Sequence, residues 1–158
     1  MALYLVQHGR NLSKDQAPEQ PLSPEGSEET HLVARAASKL SPPLRLIQHS
    51  PKTRARQTAE IFAEHLSPDQ GVQEREGIKA LDDVTLVAEE LQDRRDLMLV
   101  GHQPFMGRLA TYLAAGYQEP GVVTFQNSGI IRMDRDDESG TWYIIWTLLP
   151  SVLRQICD

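Results

Sequence analysis

Three short apolar runs, each followed at once by a turn, constrain the fold of this chain more than any other feature. They occupy residues 2–7, 44–48 and 97–101 and have no helical period. Continuous apolar runs of this length are typical of strands that are buried on both faces of a parallel sheet. A segment with helical character follows each run, so the chain is predicted to alternate strands and helices.

Serine, aspartate and proline mark the predicted helix starts. Serine and aspartate side chains accept hydrogen bonds from the first free backbone N–H groups of a helix, and proline is tolerated in its first turn. The predicted starts are Ser23-Pro24, Ser50-Pro51, Asp82 or Asp83, and Pro104. Gly116 is predicted to end the fourth helix, because glycine readily adopts the left-handed conformation found there. Residues 67–80 are predicted to be irregular.

The pattern changes after residue 120. Residues 122–125, 129–133 and 142–148 are predicted strands, and the last two flank the turn-rich residues 134–140, which predicts an antiparallel hairpin. The predicted fold class is therefore α/β, a three-layer arrangement around a mostly parallel sheet with antiparallel edge strands. With 158 residues, the whole of 1–158 is predicted to be one domain.

Charge and composition exclude several classes of protein. The 16 Lys and Arg residues against 22 Asp and Glu residues give a net charge of −6, which argues against a nucleic-acid partner. No apolar stretch is long enough to span a membrane, and the N-terminal run is too short for a signal peptide, so a cytoplasmic protein is predicted. The one cysteine, Cys157, excludes an intrachain disulfide and a cysteine-based zinc site.

Histidine and arginine side chains follow the three predicted parallel strands. The strand ends read Gln7-His8-Gly9-Arg10, His49-Ser50-Pro51 with Arg54 one turn into the helix, and Gly101-His102-Gln103-Pro104. Singly, each of these residues is explained by capping, burial or solvation. Because the carboxyl ends of parallel strands meet at one edge of a sheet, His8, Arg54 and His102 are expected to converge. The reactive ring nitrogen of His8 is expected to lie within about 8 Å of that of His102.

These motifs resemble those of the histidine phosphatase (phosphoglycerate mutase-like) superfamily. Residues 5–9 (LVQHG) resemble its first motif, residues 50–59 (SPKTRARQTA) its second, and residues 100–104 (VGHQP) its third. Residues 21–26 (PLSPEG) resemble the family's "PLTxxG" helix start. The resemblance covers about residues 3–130, and the short spacing between Arg54 and His102 points to the SixA-type phosphohistidine phosphatases.

The resemblance implies phosphoryl transfer through a phosphohistidine on His8. An imidazole with one ring nitrogen held as N–H keeps a lone pair on the other and can attack phosphorus in line. Arg54 and a protonated His102 would hold the phosphoryl oxygens, since guanidinium binds phosphate bidentately. The predicted phosphate-binding residues are Gln7, Gly9, Arg10, Arg54, His102 and Gln103. No metal or other cofactor is predicted.

Two positions depart from the family pattern. Gln7 stands where the family has an arginine before the nucleophile, and Gln20 stands where SixA-type proteins often carry another. Glutamine can donate a hydrogen bond but brings no charge. Arg10 is either a replacement for the missing charge or a solvated loop residue, and the sequence leaves both interpretations open.

The general acid used by larger relatives has no obvious counterpart. Glu74, Glu76, Asp82 and Asp83 lie in the relevant interval, and each is readily explained as a solvated or capping residue. An imidazole leaves phosphorus with much less help from an acid than an alkoxide does. The first hypothesis, implied by the resemblance and modestly favoured by this absence, is a phosphatase for phosphohistidine on a protein. The alternatives are a phosphatase for small phosphate esters and a catalytically weak phosphate-binding module.

The remaining histidines and tryptophans are given structural roles. His31, His49 and His65 are interpreted as structural or surface residues, with a supporting role open to His49 because it precedes Ser50. Trp142 and Trp146 are four residues apart and are predicted to pack from the same face of a strand.

Overall fold

A six-stranded mixed sheet forms the middle layer of the computed structural model, which describes residues 1–157. The strands are β1 (Ala2–Gln7), β2 (Leu46–His49), β3 (Val72–Glu74), β4 (Leu97–Gly101), β5 (Ile130–Arg135) and β6 (Trp142–Leu148). Their order is β3-β2-β4-β1-β5-β6. The first four are parallel, and β5 and β6 are antiparallel to their neighbours. The predicted fold class is confirmed.

Five helices cover the two faces of this sheet. They are α1 (Pro24–Ser38), α2 (Thr53–Leu66), α3 (Val84–Glu90), α4 (Phe105–Ala115) and α5 (Pro150–Ile156). Successive residues of β1 point to opposite faces. Tyr4 and Val6 pack in a cluster with α1, α2 and α5, whereas Leu3 and Leu5 pack in a second cluster with α3 and α4. Burial on both faces explains why the parallel strands have no polar alternation.

The helix caps follow the predicted chemistry at most positions. The Ser23 hydroxyl accepts a hydrogen bond from Gly26 N at 3.0 Å, and an Asp83 carboxylate oxygen accepts one from Thr85 N at 2.9 Å. Gly116 ends α4 with a φ of 83°, in the left-handed region. The predicted start of α2 at Ser50-Pro51 is wrong, because α2 begins at Thr53 after Lys52.

The predicted strand at residues 122–125 is also wrong. In this segment Val122 N donates to Thr111 Oγ1 at 3.1 Å, and the place beside β1 in the sheet is taken by β5. Phe125 still packs in the core, which accounts for the apolar pattern. Two short elements were missed, β3 inside the supposedly irregular residues 67–80, and α5 at the C-terminal end.

The two tryptophans do not share a face of β6, contrary to prediction. A register irregularity between Arg132 and Met133 shifts the pairing of β5 with β6, and this reverses which side chains point to which face. Trp142 packs in the cluster of Leu3 and Leu5, and Trp146 packs against the cluster of Tyr4. None of the helices within residues 1–157 has the length and hydropathy needed to cross a membrane.

Candidate active site

His8, Arg54 and His102 meet at the carboxyl edge of the parallel strands. His8 follows β1, His102 follows β4, and Arg54 lies in the first turn of α2, which begins just after β2. The ring centroids of His8 and His102 are 5.0 Å apart. The Arg54 Nε–H donates to His8 Nε2 at 3.3 Å. Residues separated by 46 and 48 positions in the chain thus share one site because β1, β4 and β2 are neighbours in the sheet.

The His8 ring is held in one tautomer. Its Nδ1 lies 2.7 Å from the Gly9 carbonyl oxygen, which can only accept, so Nδ1 carries the hydrogen. Nε2 therefore has a free lone pair and accepts from Arg54. Burial, and secondarily the Arg54 charge, lowers the pKa of His8, although the Gly9 carbonyl acts in the opposite direction. His8 is a neutral imidazole whose lone pair faces a guanidinium.

His102 is bound to the hydroxyl of Ser50. The distance from Ser50 Oγ to His102 Nε2 is 2.6 Å, and His102 is only 4% exposed. Burial lowers the pKa of His102 to about 4, with further contributions from the nearby His8, Arg54 and Lys52. His102 is thus neutral at pH 7 in the free protein, whereas the sequence indicated a protonated ring when phosphate is bound.

Ser50 is a site residue that sequence reasoning assigned to a helix cap. It is fully buried, and its carbonyl oxygen lies 2.8 Å from Nδ1 of the buried His49. This contact holds the turn after β2 and so places the Ser50 hydroxyl against His102. The signal available in the sequence was the position of Ser50 at the carboxyl end of a buried strand, next to the motif that contains Arg54.

The site carries positive charge that no carboxylate within residues 1–157 pairs with. Lys52 and Arg54 lie in or beside the first turn of α2, and within residues 1–157 neither forms an ion pair with Asp or Glu. Burial lowers the pKa of Arg54, but a guanidinium remains charged at pH 7. Two cations beside two neutral imidazoles form an environment suited to a multiply charged anion.

Gly9 lies where the backbone is packed too closely for a side chain. A Cβ at this position would lie 2.7 Å from Thr30 Oγ1 and 3.0 Å from Ser128 Oγ. Its N–H donates to Thr58 Oγ1 at 2.9 Å, so this N–H is already used within the protein. Gly9 therefore positions His8 through tight packing against α1 and α2. Asn127, also missed by sequence reasoning, donates from Nδ2 to the His8 carbonyl oxygen at 2.9 Å.

The two glutamines assigned to phosphate binding lie beside this site in different ways. Gln103 Oε1 accepts from Gly107 N at 2.8 Å and so caps the first turn of α4. Gln7 is half-buried and lies opposite Gly101 in the β1–β4 ladder. By the alternation of β1, Gln7 belongs to the face of Leu3 and Leu5, away from the face to which α2 contributes Arg54.

The guanidinium of Arg10 is held by Glu29 of α1. Arg10 Nε and Nη2 both contact Glu29 Oε1, and Arg154 Nη2 lies 3.7 Å from the other carboxylate oxygen. The side chain of Glu29 is only 9% exposed, so its charge depends on these partners. Of the two interpretations of Arg10, this contact favours a structural ion pair over a replacement for the arginine missing at position 7.

Replacing Arg10 by alanine is therefore expected to reduce stability and to leave anion binding almost unchanged. Loss of one partner from a buried pair is costly, but Arg10 is half-exposed and Arg154 remains, so a loss of about 1–3 kcal/mol is expected. Urea unfolding and vanadate titration of Arg10→Ala measure the two effects. A loss of vanadate affinity above tenfold with unchanged stability would instead assign Arg10 to the anion.

None of the four acids considered as general acids contacts the histidine pair within residues 1–157. Asp82 accepts from Lys79 N, Asp83 caps α3, and Glu76 pairs with Lys79 at 3.6 Å. Glu74 is exposed at the end of β3, beside His49 in the sheet register. Among residues 1–157, the groups that contact His8 and His102 thus include cations and hydrogen-bond donors but no carboxylic acid.

The low pKa of His102 predicts a loss of stability in mild acid. The unfolded chain takes up a proton on this histidine near pH 6.5, whereas the folded protein does so only near pH 4. Stability that is present above pH 6.5 is therefore lost as the pH falls toward 4, by up to about 3 kcal/mol. Urea unfolding of wild type and His102→Gln between pH 4 and 7.5 tests this. Equal pH dependence in the two proteins would contradict it.

Comparison with known proteins places the chain in a family. The model of the histidine phosphatase superfamily (branch 1) matches residues 3–82. An uncharacterized protein of Picosynechococcus sp. is 35% identical over 141 residues, which cover 83% of each chain.

Solved structures of phosphatases share the fold. The structure of the protein histidine phosphatase SixA complexed with tungstate has a TM-score of 0.84 at 25% identity, covering 97% of this chain and 99% of that one. A putative phosphohistidine phosphatase SixA from Agrobacterium tumefaciens has a TM-score of 0.74 at 19% identity, covering 94% and 97%. A phosphoserine phosphatase from Entamoeba histolytica has a TM-score of 0.67 at 16% identity, covering 92% and 95%. This chain belongs to branch 1 of the histidine phosphatase superfamily and is of the SixA type.

Proposed function

We propose that this protein hydrolyses phosphohistidine through a covalent phosphohistidine intermediate on His8. Membership of the superfamily and the likeness to SixA support phosphatase activity. The observation that carries the proposal is the state of the His8 ring, with the hydrogen on Nδ1 held by Gly9 O and the lone pair on Nε2 directed at Arg54. This is the form of imidazole that can attack phosphorus.

In the first step the phosphoryl group of the substrate binds between Arg54 Nε and His8 Nε2, which form a hydrogen bond in the free protein. Arg54 turns its N–H groups from Nε2 to the phosphoryl oxygens, and Lys52 adds a second positive charge. His8 Nε2 then forms a bond to phosphorus in line with the breaking bond to the leaving nitrogen. The other ring nitrogen of the substrate histidine takes a proton from solvent, so the substrate imidazole leaves as a neutral molecule.

His102 supports the anion after a change of protonation. Its pKa of about 4 belongs to the free site, where His8, Arg54 and Lys52 all disfavour a further positive charge. A bound phosphoryl group brings negative charge and raises this pKa, so His102 takes up a proton and donates to an oxygen. Ser50, at 2.6 Å from Nε2, keeps the ring oriented in both states.

In the second step a water molecule attacks the phosphorus of the intermediate. The new bond to water oxygen forms as the bond to His8 Nε2 breaks, and Nε2 recovers its lone pair. Inorganic phosphate leaves with the protons of the water shared between phosphate and solvent. Throughout, the chain acts by positioning and by charge, as expected for phosphoryl transfer.

Within the described part of the chain no carboxylic acid contacts the two histidines of the site, and this favours a P–N over a P–O substrate. A serine or sugar alkoxide is strongly basic and needs a positioned proton donor, whereas the substrate imidazole is protonated at its remote nitrogen near pH 6.5. Within residues 1–157 no carboxylate contacts His8, Arg54 or His102. A phosphorylated histidine on a protein is accordingly the favoured substrate, with small phosphate esters as the second candidate.

A comparison of substrates tests this proposal. We expect hydrolysis of a phosphohistidine peptide with kcat/KM at least about 100-fold above that for the same peptide with phosphoserine, on the order of one positioned general acid. Para-nitrophenyl phosphate has a good leaving group that needs no acid. Its turnover therefore shows whether slow hydrolysis of phosphoserine reflects slow chemistry or weak binding. A preference for phosphoserine or a small ester would select the second candidate. Vanadate binding without turnover of any substrate would select the phosphate-binding module.

A further inference from the structure

We propose that His31, Glu64 and His65 form a binding site for a divalent transition-metal ion of the Zn²⁺ class. His31 lies on α1, and Glu64 and His65 lie at the end of α2. One ligand atom from each residue lies within 4.8 Å of the other two. The sequence did not indicate this group, because 34 positions separate the two histidines and each alone is explained as a surface residue.

The spacing of the two imidazoles suits coordination to one ion. His31 Nδ1 and His65 Nε2 are 2.9 Å apart, with ring centroids 5.2 Å apart and nearly perpendicular planes. Two nitrogens at the usual zinc distance of about 2.05 Å lie about 2.9 Å apart at a right angle and about 3.3 Å apart at a tetrahedral angle. The observed separation lies at the lower end of this range, so the distance between the nitrogens needs little change, while the rings turn so that both lone pairs point at the ion and not along the line between the nitrogens.

The tautomers open to the two rings allow a metal ion to replace the hydrogen bond between His31 and His65. In the free protein, one of the facing nitrogens donates its hydrogen to the other. The outer nitrogens, His31 Nε2 and His65 Nδ1, form no hydrogen bond within residues 1–157. Water can therefore transfer the shared hydrogen from the facing nitrogen of one ring to the outer nitrogen of the same ring. Both facing lone pairs then become available without any net loss of protons. Two neutral imidazoles and a carboxylate are a ligand set that selects zinc and its neighbours over Mg²⁺ or Ca²⁺.

An open cleft gives the ion access. A cavity of about 330 Å³ lies between the helices and is lined by His31 and Glu64 together with Leu22, Ser27, Gln57, Glu60 and Ile61. The Glu64 side chain is exposed and free to turn toward the rings. Water from the cleft can complete the coordination, because three protein ligands leave at least one position open.

The ion would join two helices that each support the active site. α2 carries Arg54 and Thr58, and α1 carries Thr30, which packs beside Gly9. His65 is eleven positions after Arg54, about 16 Å along the helix. The expected effect is therefore on stability and not on the chemistry at His8, and the proposal does not depend on the proposed function.

Metal titration of the chelator-treated full chain tests the site. We expect one equivalent of Zn²⁺ to bind by calorimetry and to raise Tm, and one equivalent of Co²⁺ to give visible d–d absorption. His31→Ala, His65→Ala and their double variant are expected to weaken Zn²⁺ binding at least about tenfold, because even the loss of a group that only supports a ligand typically costs about 10–100-fold. In a histidine NMR titration, Zn²⁺ is expected to shift the ring signals of His31 and His65.

His8 and His102 form a second pair of neighbouring imidazoles, with ring centroids 5.0 Å apart, so the matched control is His8→Asn. It is expected to retain the Zn²⁺ equivalent and the Tm shift. Equal Zn²⁺ affinity in wild type and the double variant overturns the proposal, as does loss of the bound equivalent in His8→Asn alone. If an alanine variant fails to fold, two other measurements test the site: the Zn²⁺ affinity of Glu64→Gln and the Zn²⁺-dependent ring shifts of the wild type. Unchanged affinity together with unshifted His31 and His65 signals also overturns the proposal.

Discussion

Replacing His8 by alanine is expected to reduce kcat for a phosphohistidine peptide on the order of 10⁴–10⁶-fold, the scale seen when a nucleophile is removed. His8 Nε2 is the ring nitrogen to which Arg54 donates, whereas Nε2 of the neighbouring His102 is engaged by Ser50, so His102 is not expected to replace His8 as the nucleophile. Since His8 is only partly buried and lies after β1, its loss leaves no large cavity, and the fold should be retained. Single-turnover kinetics with the phosphopeptide measure the loss.

The control for this experiment is His65→Ala. It removes a histidine of the same size from the far end of α2, about 16 Å along the helix from Arg54, and is therefore expected to keep kcat within about twofold. Trapping of the acid-labile phosphoenzyme in wild type and its absence in His8→Ala would locate the intermediate. Turnover by His8→Ala within tenfold of wild type would show that the nucleophile lies elsewhere.

Replacing Arg54 by alanine is expected to weaken vanadate or phosphate binding about 10²–10³-fold. Its Nε lies 3.3 Å from His8 Nε2, where the phosphoryl group must come, and it forms no ion pair within residues 1–157 that would have to be broken first. Loss of a charge-assisted, partly desolvated contact of this kind costs several kcal/mol. Competition of vanadate against phosphopeptide turnover gives the inhibition constant for the variant.

Arg56 offers a matched control on the same helix. It lies two positions after Arg54, is half-exposed and faces Glu60 at 3.8 Å. Arg56→Ala removes the same charge at nearly the same distance along the chain but is expected to change the vanadate constant less than threefold, since exposed charges are screened. Similar losses in both variants would mean that the net charge of α2, and not the Arg54 contact, controls anion binding.

Local patterns were sufficient where burial and capping decide the structure. The uninterrupted apolar runs predicted β1 and β4 because strands covered on both faces leave no solvent side for polar residues. Ser23 and Asp83 were predicted as caps because their side chains satisfy neighbouring N–H groups. At Ser50 the same pattern misled, because the hydroxyl is used by His102, a residue 52 positions away. Local chemistry does not reveal a partner that only the folded chain supplies.

The alternation of strands and helices, and the motifs at three strand ends, were therefore sufficient to predict the α/β fold and the group formed by His8, Arg54 and His102. The protonation states and ion pairs of the residues in and around this group could not be predicted from local sequence patterns. The neutral His102 follows from burial and from three neighbouring positive or potentially positive groups. The pairing of Arg10 with Glu29 follows from the packing of α1 against the loop after β1. Local periodicity and propensity act within a few residues of the chain, whereas desolvation and charge act through space, and these depend on which distant segments the folded sheet brings together.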